Sequence, residues 1–371
     1  MNSRNFPAIL DTLASSIFRR GVRLFLPITT STFMSLLFEM FHFYPQEYWG
    51  KLPVHAPTIA AQINDWYMNL LITIDPFQTI DPGNPLAQAN PYDIHLWTIP
   101  YEFRGSIVVF LVLLAFAKAK PMVRLILMGL SVIYVMHIGH WDIGLFLGGS
   151  FLSALQIFRR NIFPSQPSGM VESPNPPLRP RGFRVLTNFF LQHHTFFGHL
   201  LTIPLCFAGL WLVGLPTQDP GSSPGFIWIY SWTPSQYHTG IANWHIEKFW
   251  NTVGALMLLT AMSFSPPIGS SDNATPLLQI LFNTRFSQYL GDISFSLYMI
   301  HGPIIYSVGY VIRKHADEVS PDLYWWGFVK FILIVGGLTL WIADLFTRFV
   351  DVPSVKVGKW LADKCFVREE R

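Results

Sequence analysis

A charged and aromatic stretch, residues 95–106, opens directly into the uncharged apolar run 107–117. Ionisable groups at the mouth of a membrane-length apolar segment are costly, so they commonly mark a site. An imidazole with a carboxylate, here His95 and Glu102, is the usual pair for moving protons near neutral pH. We therefore predict that this stretch forms one edge of an active site. The alternative is that Glu102 and Arg104 only hold a helix bundle together by pairing with neighbouring helices.

Pro100 sets the local structure that we expect for this stretch. A proline is tolerated in the first turn of a helix, and it disfavours the helical conformation in the residue before it. We therefore predict that the chain is extended through Ile99 and becomes helical after the proline, which leaves His95 on an entry loop. Trp97 and Tyr101 favour a membrane interface, so this end of the helix should lie near one membrane surface.

A second polar cluster lies in a late apolar segment. Ser294, Tyr298 and His301 are spaced four and three residues apart, so on a helix they share one face. We predict that His301 points into the protein, toward a cavity entered past His95, because an imidazole facing lipid would lack partners. The structural alternative is that His301 only bonds to a neighbouring helix, helped by the carbonyl that Pro303 leaves without a donor.

The composition is that of a membrane protein. The chain has 371 residues, of which 13% are charged, about half the share of a soluble domain. We predict an all-α fold, a single-domain polytopic membrane helix bundle with about eight transmembrane helices, interrupted by a flexible, proline-rich cytosolic linker at about 160–195. The eight apolar windows are 24–43, 102–119, 122–137, 141–158, 199–215, 248–265, 289–312 and 324–349.

The basic residues predict the orientation of these spans. Arginines and lysines concentrate on the cytosolic side of membrane helices, and alternation of the spans places most of the basic clusters on one side. We therefore expect a multi-pass integral membrane protein with both termini in the cytosol, and an unmodified sequon at Asn273. The clusters are Arg19, Arg20 and Arg23; Lys118, Lys120 and Arg124; Arg159 and Arg160; and Lys356, Lys359, Lys364 and Arg368.

Several other functions are excluded by motif and composition. The sequence has no Walker-type phosphate loop and no His-Glu-x-x-His zinc motif. Its formal net charge of +3 is too small to suggest a nucleic-acid partner. Only two cysteines occur, Cys206 and Cys365, so a disulfide framework or a cysteine-based metal site is not expected.

Three stretches resemble the fungal branch of the membrane acyltransferase type 3 family. They are residues 95–106, residues 295–303, which read Phe-Ser-Leu-Tyr-Met-Ile-His-Gly-Pro, and the arginine-containing segment 16–27. The resemblance covers nearly the whole chain in the same order. It implies an enzyme that moves an acyl group, often acetyl, from cytosolic acyl-CoA to a hydroxyl group. The acceptor would be a carbohydrate, a lipid or a secondary metabolite.

The resemblance also implies roles for individual residues. A histidine would take the proton of the acceptor hydroxyl, so the catalytic candidates are His95, Glu102 and His301. No cofactor would be bound permanently, because acyl-CoA is a co-substrate. The arginines would attract the CoA phosphates, although the positive-inside bias alone also accounts for them. The candidates for binding CoA are Arg19, Arg20 and Arg23, and those for binding the substrate are Trp97, Tyr101, Arg104 and Tyr298.

The sequence departs from the family in one respect. Members usually carry two further spans at the start, the first with an arginine and a histidine taken to be catalytic, and residues 1–23 hold no counterpart of that pair. Either His95 or His301 serves instead, or the chain is a catalytically incomplete remnant or scaffold. A transporter using Glu102, Arg104, Asp292 and His301 is a further alternative, but no inverted repeat supports it.

Overall fold

The computed structural model describes residues 6–45, 53–75, 89–162, 194–216, 221–238, 244–266, 276–319 and 324–366. Those residues form helices and connecting turns, apart from isolated bridge residues such as the antiparallel pair Asn90 and Asp93. The predicted all-α class is therefore confirmed. The predicted linker lies largely outside the described residues.

The helices fall into two compact units, which divide the chain near residues 114 and 288. Unit 1 comprises Met1–Leu114 and Gln288–Arg371, and unit 2 comprises Ala115–Ser287. All the site residues predicted from the sequence belong to unit 1. The helices up to residue 266 are α1 (Phe6–Met40), α2 (Ile59–Ile74), α3 (Ile99–Ala115), α4 (Pro121–His137), α5 (Trp141–Ile162), α6 (His194–Val213), α7 (Ile227–Trp232) and α8 (Trp244–Phe264).

The remaining helices form two continuous segments, 285–319 and 324–365, each of which contains turns of π-helix. They are α9 (Arg285–Ile304), π turn Ile305–Gly309, α10 (Tyr310–Val319), α11 (Tyr324–Phe331), π turn Ile332–Gly336, α12 (Gly337–Phe346), π turn Thr347–Asp351 and α13 (Val352–Cys365). The first π turn follows Pro303, which has no N–H to donate and so interrupts the regular hydrogen-bond ladder. Such turns inside helices are frequent at functional sites.

The lengths and hydropathies of the helices fit a protein that spans a membrane. Five helical segments in the described part of the chain are long and apolar enough to cross a membrane: Leu10–Met40, Ile94–Ala115, Trp141–Arg160, Arg285–Lys314 and Trp325–Cys365. Two apolar helices are shorter, Pro121–His137 and Gly198–Val213. Each of the eight predicted windows falls on a helix, but the number of spans stays a prediction. The orientation of the termini also stays a prediction, and Asn273 lies outside the described residues.

Unit 1 is built on the long helix α1, which packs along α13 and against α2. Gly358 of α13 faces α1 at this contact, and a Cβ there would lie at an ordinary contact distance, 3.6 Å, from the Arg19 carbonyl oxygen. The buried core joins α1, the start of α3 and α9, and so fixes the elements that carry the candidate site. Its members include Leu24, Ile28, Leu96, Ile99, Ile293, Met299, Ile300 and Ile304.

The entry into α3 differs from the prediction. Pro100 lies in the first turn as expected, but Ile99 is already helical, with φ −63° and ψ −45°. The predicted extended chain through Ile99 is therefore wrong, and His95 lies in a 3-10 turn (Ile94–Thr98) rather than on a loop. The extended residue is Asp93, whose side chain caps this turn by accepting from the His95 N–H.

Unit 2 packs α4 against α5, and α8 against α5 and α6. Glycines let α6 and α8 approach closely, because a Cβ on Gly209 would lie 2.9 Å from the carbonyl oxygen of Gly254. Small residues at a helix contact are typical of membrane bundles. The unit holds an apolar cavity of about 650 Å³, which is lined by none of the predicted site residues.

Candidate active site

His95 is held by a buried carboxylate that belongs to its own turn. Asp93 Oδ1 lies 3.3 Å from His95 Nδ1 and accepts the His95 backbone N–H at 3.1 Å. The Asp93 side chain has no exposed surface, whereas 31% of the His95 side chain is exposed. The predicted pairing of His95 with Glu102 is therefore wrong, because the carboxylate that contacts the ring comes from Asp93.

The position of Asp93 in the sequence is itself a signal for its role beside His95. An aspartate directly before the first residues of a helical turn is a common capping residue. Such a cap places its carboxylate beside the residue two positions later, which here is His95. Asp93 Oδ1 can then accept from both the backbone N–H and the ring Nδ1 of His95.

His301 meets His95 across the contact between α9 and the 3-10 turn. The two ring centroids are 4.2 Å apart. His301 Nδ1 lies 2.7 Å from the carbonyl oxygen of Tyr298. A carbonyl only accepts, so Nδ1 carries the hydrogen, and the neutral ring presents a lone pair at Nε2. By the same reasoning, His95 Nδ1 carries the hydrogen that faces the Asp93 carboxylate, and the lone pair of the neutral His95 ring is on Nε2.

Tyr298 connects the same two elements. Its hydroxyl donates to the carbonyl oxygen of His95 and lies 2.5 Å from Thr98 Oγ1. On the other side, the Tyr306 ring stacks on His95 with centroids 5.7 Å apart and an angle of 15° between the planes. His95 is thus held in position by side chains from both elements.

Gly302 makes the contact between these elements possible. A Cβ at this position would lie 2.6 Å from Asp93 Oδ1 and 2.8 Å from His95 Nδ1. Real Cβ contacts are essentially never this short. The absence of a side chain therefore lets the carboxylate–imidazole pair lie directly against α9.

His301 also lines a cavity of about 620 Å³ in unit 1. Ser294 and Tyr298 line the same cavity, so the predicted sharing of one helix face is confirmed. The His301 ring contacts His95 and the cavity, as the helical spacing predicted.

Glu102 and two of the arginines have electrostatic partners on neighbouring elements of unit 1. Glu102 interacts electrostatically with Arg20, and Arg23 interacts with Asp351. The Nε atom of Arg19 donates to the Ser15 carbonyl oxygen at 3.0 Å. These contacts agree with the structural alternative, in which membrane charges hold neighbouring helices together.

The aromatic residues of the 95–106 stretch pack on one another. Trp97 and Tyr101 meet edge to face with centroids 5.7 Å apart, and the Arg104 guanidinium lies 5.2 Å from the centroid of the Tyr101 ring. None of the three lines the cavity beside His301. Elsewhere in unit 1, Asp344 Oδ2 lies 2.8 Å from Arg348 Nε, four residues further along the helix.

A second acid–imidazole pair lies at the end of α1, and the sequence reasoning missed it. Oε1 of the fully buried Glu39 lies 3.3 Å from His55 Nδ1, and the His55 ring packs on His42 with centroids 4.5 Å apart. Burial raises the pKa of the nearby Tyr44 hydroxyl, a hydrogen bond with Ser35 lowers it in part, and the Asp93 and Glu39 carboxylates raise it again. Tyr44 therefore stays neutral between these two acids.

No group of three or more possible metal ligands occurs among the described residues. The two histidines of the site instead contact a carboxylate, a backbone carbonyl and aromatic rings. The arrangement is suited to holding and moving a proton at an imidazole nitrogen.

Comparison with known proteins identifies the family. The acyltransferase-domain family model (Acyl_transf_3) matches residues 9–348. The O-acetyltransferase PaAT-1 of Phomopsis amygdali is 28% identical over 99% of this chain and 70% of its own length. Acyltransferase clz18 of Cochliobolus lunatus is 22% identical over 99% of this chain and 76% of its own length. Acyltransferase R4 of a Phoma strain is 21% identical over 94% of this chain and 72% of its own length.

No solved structure matches the chain. The family model nevertheless spans all the predicted site residues, and these three relatives are fungal acyltransferases that align with nearly the whole chain. The resemblance of the three sequence stretches is thereby confirmed, and the chain belongs to the membrane acyltransferase type 3 family.

Proposed function

We propose that the protein transfers an acyl group, in the simplest case acetyl, from acyl-CoA to a hydroxyl group of a small molecule or glycan. The observation that carries this proposal is the Asp93–His95–His301 cluster beside a cavity, in a chain of an acyltransferase family. The cluster offers a base, and the family membership supports acyl transfer as the reaction.

In the proposed step, His301 Nε2 accepts the proton of the acceptor hydroxyl. The oxygen attacks the thioester carbonyl, the carbon–sulfur bond breaks, and the CoA thiolate takes the proton back from the imidazolium. General-base assistance of this kind contributes about a hundred- to ten-thousand-fold to the rate. The step therefore needs no reactant other than acyl-CoA and the acceptor.

The Asp93–His95 pair supports this base electrostatically. Asp93 Oδ2 is buried and has no hydrogen-bond partner among the described residues, so the negative charge is not neutralised at that oxygen. A carboxylate near the imidazolium favours the charged intermediate of the step. We therefore assign His95 and Asp93 to stabilising the charge and positioning the ring of His301.

The donor would approach from the α1 arginines. Arg19, Arg20 and Arg23 could bind the CoA phosphates, and in doing so Arg20 and Arg23 would exchange their present partners, Glu102 and Asp351. The positive-inside bias predicts that this end of α1 faces the cytosol, where acyl-CoA would be available. Trp97, Tyr101 and Arg104 are proposed contacts for the substrates near the site entrance, and Tyr298 for the acceptor.

The test is to incubate the purified protein in proteoliposomes with radiolabelled acetyl-CoA and a panel of hydroxyl acceptors. We expect labelled ester with wild-type protein and at least about a tenfold loss for His95→Ala. His238→Ala is the control, because this histidine is also held by a polar contact, at 3.1 Å from the Thr233 carbonyl oxygen, but belongs to unit 2. Acceptor flux without ester would indicate a transporter, and neither flux nor ester would indicate a scaffold.

A further inference from the structure

The cavity beside His301 has a largely apolar wall. One side of the cavity is formed by α9 and the π turn that follows it. The other side is formed by α11, the next π turn and α12, and both sides belong to candidate membrane spans. Four of its lining residues are polar, and they are Ser294, Tyr298, His301 and Thr339. The other lining residues include Leu297, Ile305, Phe331, Ile332, Val335 and Leu340.

The hydroxyl hydrogens of the cavity are already donated within the protein, so these oxygens can offer a ligand only their lone pairs. Ser294 and Thr339 donate to backbone carbonyls of their own helices at 2.8 and 2.6 Å. The Tyr298 hydroxyl is bonded to the His95 carbonyl and to Thr98. His301 uses Nδ1 for a backbone carbonyl and leaves Nε2 as the nitrogen that can meet a ligand.

The few hydrogen-bonding groups left in the cavity favour an acceptor with few hydroxyls. A buried hydroxyl without a partner costs about 1–3 kcal/mol, and a sugar with several hydroxyls would find only a few accepting oxygens and His301 Nε2 in this largely apolar cavity. A hydrocarbon scaffold would be favoured by its burial, and one hydroxyl could bond to His301 Nε2. A volume of about 620 Å³ is within the range of sites for drug-sized molecules.

We propose that this cavity binds the acceptor and that the acceptor is a largely hydrocarbon alcohol, entering from the bilayer with its hydroxyl at His301. The inference rests on the proposed acyl transfer and narrows its acceptor class. Carbohydrate acceptors are then disfavoured at this site.

Two neighbouring glycines provide a matched pair of variants. A Cβ on Gly336 or on Gly337 would meet no atom within 4 Å. Gly336 lines the cavity, whereas Gly337 does not. Gly336→Leu should therefore fill part of the cavity, and Gly337→Leu should add the same side chain to the same helix without filling it.

The first experiment measures transfer from acetyl-CoA to ethanol, geranylgeraniol and glucose. We expect wild-type protein to prefer geranylgeraniol over glucose. We expect Gly336→Leu to lose about tenfold or more on geranylgeraniol and little on ethanol, with Gly337→Leu close to wild type on both. A preference for glucose, or an equal effect of the two variants, would overturn the inference while leaving acyl transfer in place.

The second experiment measures binding without turnover. The probe is a diazirine-bearing long-chain alcohol, compared with its methyl ether, and crosslinks are mapped by mass spectrometry in folded protein. We expect labelling of the cavity wall by the alcohol, weaker labelling by the ether, and loss of alcohol labelling in Gly336→Leu but not in Gly337→Leu. Equal labelling by both probes would indicate ordinary lipid contact and refute the proposal. Alcohol-selective labelling without any acyl transfer would support the binding site and refute the proposed reaction.

Discussion

Gly302→Ala is the most direct perturbation of the histidine cluster that leaves its chemical groups in place. The added Cβ would lie 2.6 Å from Asp93 Oδ1 and 2.8 Å from His95 Nδ1, whereas ordinary contacts begin at 3.4 Å. The carboxylate oxygen and the ring nitrogen must therefore move away by about 0.8 and 0.6 Å. Both atoms are at the ends of side chains, so the displacement falls on the proposed catalytic groups and less on the backbone.

The expected effect is large on activity and small on stability. A misplacement of about 1 Å can cost about a hundredfold in rate, so we expect kcat to fall about ten- to a hundredfold. Overpacking costs about 1–3 kcal/mol, and alanine in a helix regains about 0.5–1 kcal/mol relative to glycine, so the net loss of stability should stay below about 2.5 kcal/mol.

The assay compares kcat, KM for acetyl-CoA and thermal unfolding of Gly302→Ala with those of Gly291→Ala. Gly291 lies in the same helix, and a Cβ there would meet nothing within 4 Å. We expect Gly291→Ala to match wild type and Gly302→Ala to lower kcat with little change in KM for the donor. A Gly302→Ala protein with wild-type kcat would refute the reasoning that the Asp93–His95 geometry supports catalysis.

Other predictions follow from the same contacts. Asp93→Asn should lower ester formation by about tenfold or more with unchanged helical circular dichroism, and unaltered turnover would remove the carboxylate from the mechanism. Tyr298→Phe should lower the unfolding free energy by about 1 kcal/mol, measured by denaturation in detergent, because it removes the hydroxyl link between the two elements. Glu102→Gln combined with Arg20→Gln should unfold at a higher temperature than either single variant if the two charges hold helices together. Mass spectrometry of Asn273 from the native host should show no glycan, and a glycan there would overturn the predicted topology.

The helical architecture and the shared face of the late polar cluster could be predicted from the sequence, because both follow from local periodicity. Spacings of four and three residues place Ser294, Tyr298 and His301 on one face, and the structure finds all three on one cavity wall. The apolar windows likewise predicted the helices, since apolar composition governs which segments can span a bilayer.

The partners of the charged groups could not be predicted in the same way. Glu102 interacts with Arg20 through tertiary packing of α3 against α1, which no spacing in the sequence reveals. The assignment of Ile99 failed because the 3-10 turn capped by Asp93 runs directly into α3 and outweighs the preference of a residue before proline. Gly302 was not recognised as a site residue, because its role depends on groups that approach it from another element.

The central claim is that His301 is the base of an acyl transfer, and His301→Leu tests it most directly. The leucine keeps similar bulk and cannot accept a proton. The measurement is the rate of labelled ester formation per folded molecule, with the folded fraction taken from size-exclusion and thermal unfolding of the same sample. The account predicts a loss of about a hundredfold or more with folded protein retained. Unchanged turnover per folded molecule, with only a lower unfolding temperature, would contradict it and leave His301 a structural residue.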